Sequence, residues 1–283
     1  MRQARPSRTA YMVAMRRAAH QIFDDPKVFD DPLAVAILGP GAEERLRSES
    51  RFLNRMGRAV RASMAARSRY AEDQLARAVE RGTKQYVILG AGLDTFAYRN
   101  SHASRDLRVF EVDHPATQEW KRQHLAMAGI AIPESMTFAA VDFERQTLAE
   151  GLCKAEFDAA QPAFFSWLGV TMYLARETVM DTLQFVASGV PGGGIVFDYM
   201  VPRETLSWAG QLVHRALSRR VANAGEPFQT FFAPSELRAE LETMGFHSIE
   251  NLGATEINSR YFASRVDGLC VPGLLGRFIS AQP

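Results

Sequence analysis

The sequence predicts a single α/β domain built on a doubly wound, mostly parallel sheet of seven strands. Short apolar runs alternate with helix-like stretches between residues 85 and 200, a spacing typical of parallel strands joined by right-handed crossovers. The chain has 283 residues, of which 47% are hydrophobic, so it is long enough to bury a large core around such a sheet. The segments on either side lack this alternation and are expected to be mainly helical.

The part before the sheet, residues 1–82, is predicted to be helical. Ser7 or Thr9 is a candidate cap for a first helix with apolar residues on one side. A second helix is expected to start at Pro32, because proline suits the first turn of a helix. A long third helix is predicted over 56–81, ended by a glycine.

The middle of the chain, residues 83–200, holds five predicted strands with helices between them. Each strand is a short apolar run bounded by turn residues, as expected of strands covered on both faces. The runs are QYVILG, LRVFEVD, SMTFAAVD, PAFFSWLGV and GGGIVFDYM. Helices are expected over 115–129 and 176–189.

The remaining third predicts a lid and a closing unit. Residues 201–232, with an amphipathic helix over 203–220, form an insertion that is long enough to cover a crevice at the sheet edge. Residues 233–283 are expected to form a helix with Pro234 in its first turn and then two strands. These strands, FHSIENLG and SRYFASR, are predicted to pair as a hairpin at the edge of the sheet.

The composition excludes several classes of protein. Lys and Arg total 33 against 32 for Asp and Glu, so no global charge favours nucleic acid or a membrane as partner. Cys153 and Cys270 cannot form a disulfide framework, and no Cys/His spacing indicates a metal site. The longest uncharged stretch is broken by Pro162 and Ser166, which disfavours a membrane span. We expect a soluble cytoplasmic protein.

A pair of glycines follows the first predicted strand. Ligands of doubly wound sheets lie beyond the carboxyl ends of the strands, and Gly90 and Gly92 lie at that edge, where the absence of a Cβ lets backbone approach a ligand. A plain tight turn is the alternative interpretation, since two glycines alone are a weak motif. Thr95 stands where a dinucleotide-binding loop has its third glycine, which argues against a ligand with a pyrophosphate.

Acidic residues follow the next two strands. The second strand ends in Glu111 and Asp113, about twenty residues past Gly90, where a carboxylate can accept hydrogen bonds from ribose hydroxyls. The third ends in Asp142 and Phe143, suited to the exocyclic amine and the ring of adenine. The alternatives are a helix cap for the first pair and a solvated acid for the second. Together with the glycines, these residues predict an adenosine ligand without a pyrophosphate, namely S-adenosylmethionine.

Longer motifs carry a family resemblance. The runs VILGAGLDTFAYR, VFEVDHPATQEWKRQHL and FFSWLGVTMYL resemble the S-adenosylmethionine-dependent methyltransferases of the leucine carboxyl methyltransferase-like family, and its bacterial branch most of all. PSRTA, FDDPLA, ARSRYAEDQL and RYFASR also fit, so the resemblance covers nearly the whole chain. It implies a class I methyltransferase fold, with residues 83–200 as the cofactor-binding core, S-adenosyl-L-methionine as cofactor, and a small molecule or peptide carboxylate as methyl acceptor.

The resemblance also assigns residues. It implies that Arg67 clamps the methionyl carboxylate of the cofactor, with Arg69 as the alternative if the register slips. It makes Tyr173 the catalytic candidate at the mouth of the site, although a core tyrosine is also possible. The sequence departs from many relatives at Leu168, where they carry a glutamate. The other positions matched to the cofactor site are Gly90, Ala91, Gly92, Asp113, His114, Asp142 and Phe143.

The expected reaction is O-methylation. Methyl transfer from a sulfonium needs aligned reactants and a dry site; a carboxylate acceptor needs no base, whereas a hydroxyl acceptor needs one near its proton. The sequence singles out no such base and no acceptor. Two other functions stay open at this stage: a nicotinamide-dependent oxidoreductase, which Thr95 and Asp142 disfavour, and a cofactor-binding module without catalysis.

Overall fold

The computed structural model describes residues 8–143, 146–223, 225–273 and 276–283. The strands are β1 (Gln85–Leu89), β2 (Arg108–Asp113), β3 (Met136–Ala140), β4 (Ala163–Trp167), β5 (Gly194–Met200), β6 (Ser248–Leu252) and β7 (Gly276–Gln282). They form one seven-stranded sheet in the order β3-β2-β1-β4-β5-β7-β6. The first five strands are parallel, and β7 is antiparallel to both β5 and β6. The predicted fold class is confirmed.

The α-helices of the described residues flank this sheet and cover its carboxyl edge. They are α1 (Arg8–Phe23), α2 (Ala42–Ser48), α3 (Arg55–Glu80), α4 (Pro115–Met127), α5 (Leu148–Lys154), α6 (Arg176–Gly189), α7 (Trp208–Asn223), α8 (Pro234–Thr243) and α9 (Ala254–Tyr261). The predicted long helix before the sheet is therefore confirmed as α3. Within the described ranges, no helix combines the length and apolar character that crossing a bilayer requires.

The sheet is buried on both faces. Tyr86 and Ile88 of β1 pack with α3 in one core cluster, whereas Val87 and Leu89 pack with α6 and α8 in the other. Each fully buried side chain of this kind contributes about 1.5–3 kcal/mol, which explains why these strands read as continuous apolar runs. The strand order reverses between β1 and β4, and this point positions the candidate site because ligands of such sheets bind at the reversal.

The N-terminal part differs from prediction in two places. Pro32 does not start an α-helix; a turn leads instead into a 3-10 turn over Ala36–Leu38. The Asp31 carboxylate accepts a hydrogen bond from Leu33 N at 3.2 Å, as a helix cap would, and it also bonds to Arg17 and Thr95, but residues 32–35 form turns and not an α-helix. Thr9 lies inside α1 and does not cap it, and Ser7 falls outside the described residues.

The closing unit also differs. The strand predicted from FHSIENLG is confirmed as β6, but SRYFASR is not a strand, because its first residues end α9. Glu256 accepts a hydrogen bond from Gly253 N at 2.8 Å at the start of this helix, and its Ile257 is buried in the core. The partner of β6 is the later segment 276–282, which inserts between β5 and β6. The lid helix begins at Trp208, after a 3-10 turn over Arg203–Thr205.

Candidate functional site

The glycine loop after β1 is held by the protein itself. Gly90 N and Ala91 N donate to Val112 O at 2.8 and 3.1 Å. The backbone φ angle is positive at Gly90, +66°, and at Gly92, +46°. A Cβ on Gly90 would lie 2.4 Å from Val170 Cγ2, and one on Gly92 would lie 3.0 Å from Ala10 Cβ. Close packing against this chain's own side chains is therefore enough to require glycine at both positions, and the approach of the loop backbone to a ligand stays a prediction.

Asp113 binds the loop at the end of β2. Its Oδ2 accepts from Gly92 N and its Oδ1 from His114 N, both at 2.7 Å. Burial raises the pKa of this carboxyl, and the two backbone hydrogen bonds oppose the shift. A carboxylate oxygen can accept two hydrogen bonds, so Asp113 still has capacity for a ribose diol. The helix cap that follows comes from the His114 ring, whose Nδ1 accepts from Ala116 N at 3.1 Å, and not from Asp113.

Glu111, two residues earlier, does not reach the same edge. It is fully buried, with Oε2 2.6 Å from Lys121 Nζ and 3.3 Å from the Tyr98 hydroxyl. Burial raises the pKa of Glu111 to about 7, and Lys121 opposes the shift. The structure thus separates the two acids of β2: Asp113 contacts the glycine loop, whereas Glu111 belongs to a charged pair inside the protein.

A buried polar network fixes the chain after the glycine loop. The Thr95 hydroxyl donates to Asp31 at 2.8 Å and accepts from Arg17 Nη2 at 2.7 Å, and Arg17 also bonds to Asp31. Thr95 leads into a 3-10 turn over Phe96–Arg99, and residues 90–107, all of them described, contain no α-helix. A pyrophosphate is normally held at a helix N-terminus, so this loop lacks what a dinucleotide needs. No local motif in the sequence predicts the Thr95 network, because its partners lie 64 and 78 residues away.

Arg67 lies across the carboxyl ends of β4 and β5. Its Nη1 is 3.0 Å from Asp198 Oδ2, and Asp198 Oδ1 accepts from Gly169 N at 2.5 Å. A Cβ on Gly169 would lie 2.7 Å from Arg67 Nη1, so only glycine admits the guanidinium here. Arg67 Nε finds no hydrogen-bond partner among the described residues. Arg69, the alternative, lies outside this site and pairs with Asp73 at 2.7 Å.

The predicted adenine-side pair follows β3 on the same edge of the sheet. Val141 N donates to Asp113 O at 2.9 Å, which brings Asp142 next to the end of β2. Asp142 and Phe143 are both half-buried, and Phe143 packs against the core cluster that contains Val141. Leu168, at the end of β4, packs against the opposite core cluster, so this position makes an apolar contact in place of the acid found in many relatives.

Tyr173 lies between this edge and the lid. It ends a 3-10 turn over Thr171–Tyr173 after β4, and burial together with nearby Glu226 raises its pKa to about 12, against the effect of Arg67. The tyrosine is therefore a neutral hydrogen-bond donor at neutral pH. Its position beside Arg67 and Asp198 fits the mouth of a site.

The lid is tied to the same edge through its backbone. Gln229 N donates to Met172 O at 2.8 Å, the Thr230 hydroxyl to Leu174 O at 2.6 Å, and Phe232 N to Met200 O at 2.9 Å. These bonds hold four rings near one another, with centroids 5.3–6.3 Å apart along the chain of contacts. We call them the aromatic cluster: Tyr173, His214, Phe228 and Phe231.

The predicted cofactor residues thus gather along one edge of the sheet, from β3 through β2 and β1 to β4 and β5. The arrangement suits a nucleoside with an amino-acid tail: an acid beside the loop backbone for the ribose, an acid and a ring for the base, and a guanidinium with a free Nε toward a carboxylate. These features fit S-adenosylmethionine. No set of side chains among the described residues could hold a metal ion.

Comparisons with known proteins agree with this chemistry. Residues 10–187 match the family model described as leucine carboxyl methyltransferase. A Bacillus subtilis protein, YktD, provisionally named as an S-adenosyl-L-methionine-dependent methyltransferase, is 34% identical over 95% of both chains. A Mycolicibacterium smegmatis protein with the same kind of name is 31% identical, covering 79% of this chain and 76% of the other. The crystal structure of a duf574 family protein from Streptomyces avermitilis shares the fold at a TM-score of 0.60, with 16% identity and 96% of both chains covered.

Proposed function

The chain belongs to the leucine carboxyl methyltransferase family and is an S-adenosylmethionine-dependent methyltransferase, and from this premise we propose that it methylates an oxygen atom of a small molecule or of a peptide carboxylate. The family removes support for the nicotinamide-dependent alternative and for a binding module without catalysis.

We propose that the cofactor binds along the carboxyl edge of β1, β2 and β3. Asp113 would accept from the ribose hydroxyls, the loop 90–92 would meet the ligand with its backbone, and Asp142 with Phe143 would contact the adenine. Arg67 would bind the methionyl carboxylate through the nitrogens that Asp198 does not use. When bound, S-adenosylmethionine supplies an electrophilic methyl group on a positively charged sulfur.

The observation that carries the proposal for an oxygen acceptor is the position of Tyr173 and its hydroxyl group, on the turn after β4 and in contact with the lid. A neutral phenol donates a hydrogen bond, and it can orient an oxygen nucleophile by bonding to a lone pair that the reaction does not use. A neutral amine has a single lone pair, which attack on the methyl group uses, so it leaves none for this hydrogen bond. Arg67 does not add a net positive charge here, because Asp198 pairs with it at 3.0 Å. Both a hydroxyl and a carboxyl acceptor satisfy this argument.

The test is a screen of metabolite and lipid extracts with methyl-labelled cofactor and the purified full chain. Label that alkali releases as methanol identifies a methyl ester, whereas alkali-stable label on oxygen identifies a methyl ether. Tyr173→Phe should lower the rate about tenfold, as expected for the loss of one hydrogen bond of about 1.4 kcal/mol. Label found only on nitrogen or carbon would contradict the proposal.

A further inference from the structure

His214, on the inner face of α7, has a ring nitrogen to which the other described residues make no hydrogen bond. The side chain is only 7% exposed, and its Nε2 has no hydrogen-bond partner among the described residues. Its Nδ1 lies 3.3 Å from the Ser218 hydroxyl, one turn later. With the proton on Nδ1, the ring donates to the serine oxygen and Nε2 is an acceptor; with the proton on Nε2, the serine donates to Nδ1. A hydroxyl donor at Nε2 would favour the first tautomer.

The nitrogen lies among aromatic rings. The His214 ring is 5.3 Å from that of Phe231 and 6.3 Å from that of Phe228, and Phe228 in turn is 5.4 Å from Tyr173. Phe228 and Phe231 are both half-buried, and their rings are tilted at 83° to each other. The aromatic cluster therefore runs from the buried histidine to the tyrosine beside the proposed cofactor site.

A second polar atom on this side is also unused. Glu226 Oε2 is buried and has no hydrogen-bond partner among the described residues, and Glu226 lies close enough to Tyr173 to affect its titration. A buried polar atom without a partner costs about 1–3 kcal/mol. Internal ion pairs also contain such atoms, for example Glu111 Oε1 and Arg17 Nε, but His214 and Glu226 form no ion pair among the described residues. A polar ligand near Tyr173 is the partner that would satisfy both.

We infer that the aromatic cluster binds the methyl acceptor, that this acceptor is an aromatic ring carrying a hydroxyl group, and that His214 Nε2 removes the proton of that hydroxyl. The inference rests on the proposed function and narrows it from oxygen acceptors to phenols. The rings of Phe228 and Phe231 suit an aromatic acceptor, because aromatic pairs prefer edge-to-face and offset contacts at these distances.

The step balances without a further reactant. The acceptor oxygen forms a C–O bond to the methyl carbon as the C–S bond breaks, and the sulfur keeps the electron pair of that bond. The hydroxyl proton moves to His214 Nε2 and later leaves to water. Burial and nearby Arg203 lower the pKa of His214, against the effect of Glu204, which favours the neutral ring.

The same two atoms disfavour a carboxylate acceptor. A carboxylate arrives without a proton, so it has none to give to Nε2, and it would be repelled by the Glu226 carboxylate beside Tyr173. A phenol can donate to either atom. The lining of the cluster therefore distinguishes the two acceptor classes that the proposed function leaves open.

The first measurement is binding, with the full chain saturated with S-adenosylhomocysteine. 4-Nitrophenol is the probe, because its ionised form absorbs visible light. We expect saturable binding. At a pH below the pKa of free 4-nitrophenol, the bound probe should show more phenolate absorbance than the same concentration of free probe. His214→Phe should abolish this increase, and Phe231→Ala should weaken binding about tenfold. Leu212→Ala, on the exposed side of α7, is the matched control and should change neither.

The second measurement is the rate of methyl transfer to phenol and to 4-nitrophenol, at a pH where only the latter is ionised. His214→Phe should lower the rate with phenol by about 10²–10⁴-fold, the usual contribution of a general base, and the rate with 4-nitrophenol by less than about tenfold. His214→Gln repeats the comparison should the phenylalanine variant fail to fold.

Three results would overturn the inference: no binding of 4-nitrophenol by a protein that binds S-adenosylhomocysteine, equal loss of rate with both phenols, or transfer to benzoate but not to phenols. The benzoate result would leave the proposed O-methylation intact. Failure of the proposed function itself looks different, since label would then appear only on nitrogen or carbon.

Discussion

The two halves of the site are built in opposite ways. On the glycine-loop side, charged groups are paired inside the protein: Arg17 with Asp31, Glu111 with Lys121. On the lid side, His214 Nε2 and Glu226 Oε2 have no hydrogen-bond partner among the described residues. Single atoms of the paired groups, such as Arg17 Nε and Glu111 Oε1, also lack a hydrogen-bond partner, but each belongs to a side chain held by an ion pair, whereas His214 and Glu226 form no ion pair among the described residues. The cofactor half is therefore fixed by internal charge pairs, and the acceptor half leaves two polar side chains for a ligand to engage.

The strongest test of this difference is the Asp31 network. Asp31→Ala should lower the free energy of unfolding by about 3–5 kcal/mol, because it removes a carboxylate from buried Arg17 and Thr95, as measured by urea denaturation. Asp31→Asn keeps the size and one acceptor oxygen and should cost less. His214→Phe, by contrast, should lower the free energy of unfolding by less than about 1 kcal/mol. Similar losses for Asp31→Ala and His214→Phe would show that the two halves do not differ in this way.

The next effect is a pH dependence on the glycine-loop side. The pKa of Glu111 is raised to about 7 from 4.5, so the native state holds its proton more tightly than the unfolded state. The free energy of unfolding should therefore fall as the pH rises from about 5 to 8, by at most about 3 kcal/mol from this group. Equilibrium unfolding across that range measures it.

Its control is the double variant Glu111→Gln with Lys121→Met, which removes both charges of the pair and should flatten the curve. A curve that keeps its slope in the double variant would mean that another group titrates in this range.

Cofactor affinity supplies a test of intermediate size. Asp113→Ala should weaken S-adenosylhomocysteine binding roughly ten- to a hundred-fold, since hydrogen bonds to a charged group contribute about 1.5–3 kcal/mol. The variant also frees Gly92 N, so the loop itself loosens. Calorimetry on Asp113→Ala beside Glu111→Gln decides the matter: the Glu111 variant should bind nearly as well as the native protein, and the reverse order of losses would place the ribose acid at residue 111.

The smallest effect is expected on the outer face of the lid. Trp208 is 77% exposed, so Trp208→Ser should change the free energy of unfolding by less than about 0.5 kcal/mol. Urea denaturation at two protein concentrations checks this. A loss above about 1 kcal/mol that grows with concentration would show that the exposed tryptophan packs against another molecule.

The sheet could be predicted from the sequence because burial on both faces leaves a strong apolar signal, and all of β1 to β5 were found in this way. Short elements held by single contacts were missed. The capping box of Thr147 and Glu150 marks the start of α5. The pattern T-x-x-E at these positions is typical of a helix start, although the predicted elements include no helix there. The strand β7 is not predicted because GRFISAQ is interrupted by Ser280, which is buried in the sheet, so the segment does not form a continuous apolar run.

The site was predicted only as far as each strand end is a local feature. The structure places Asp113 against the glycine loop and Arg67 at the carboxyl ends of β4 and β5, while their contacts with the cofactor stay predictions. Asp198, Asp31 and His214 were not foreseen, because their importance comes from partners 14 to 131 residues away or from the lack of one. No local pattern records such contacts.

The position of β7 between β5 and β6 has a consequence for how the protein comes together during synthesis. β6 joins the sheet only through β7, so it must wait until residues 276–282 have left the ribosome. The lid lies between β5 and β6 in the chain, whereas the glycine loop and its N-terminal partners emerge much earlier. Until β7 arrives, the open edge of β5 is a template on which other chains can pair. We therefore expect the cofactor half to be assembled first, and the acceptor half to close with the last strand.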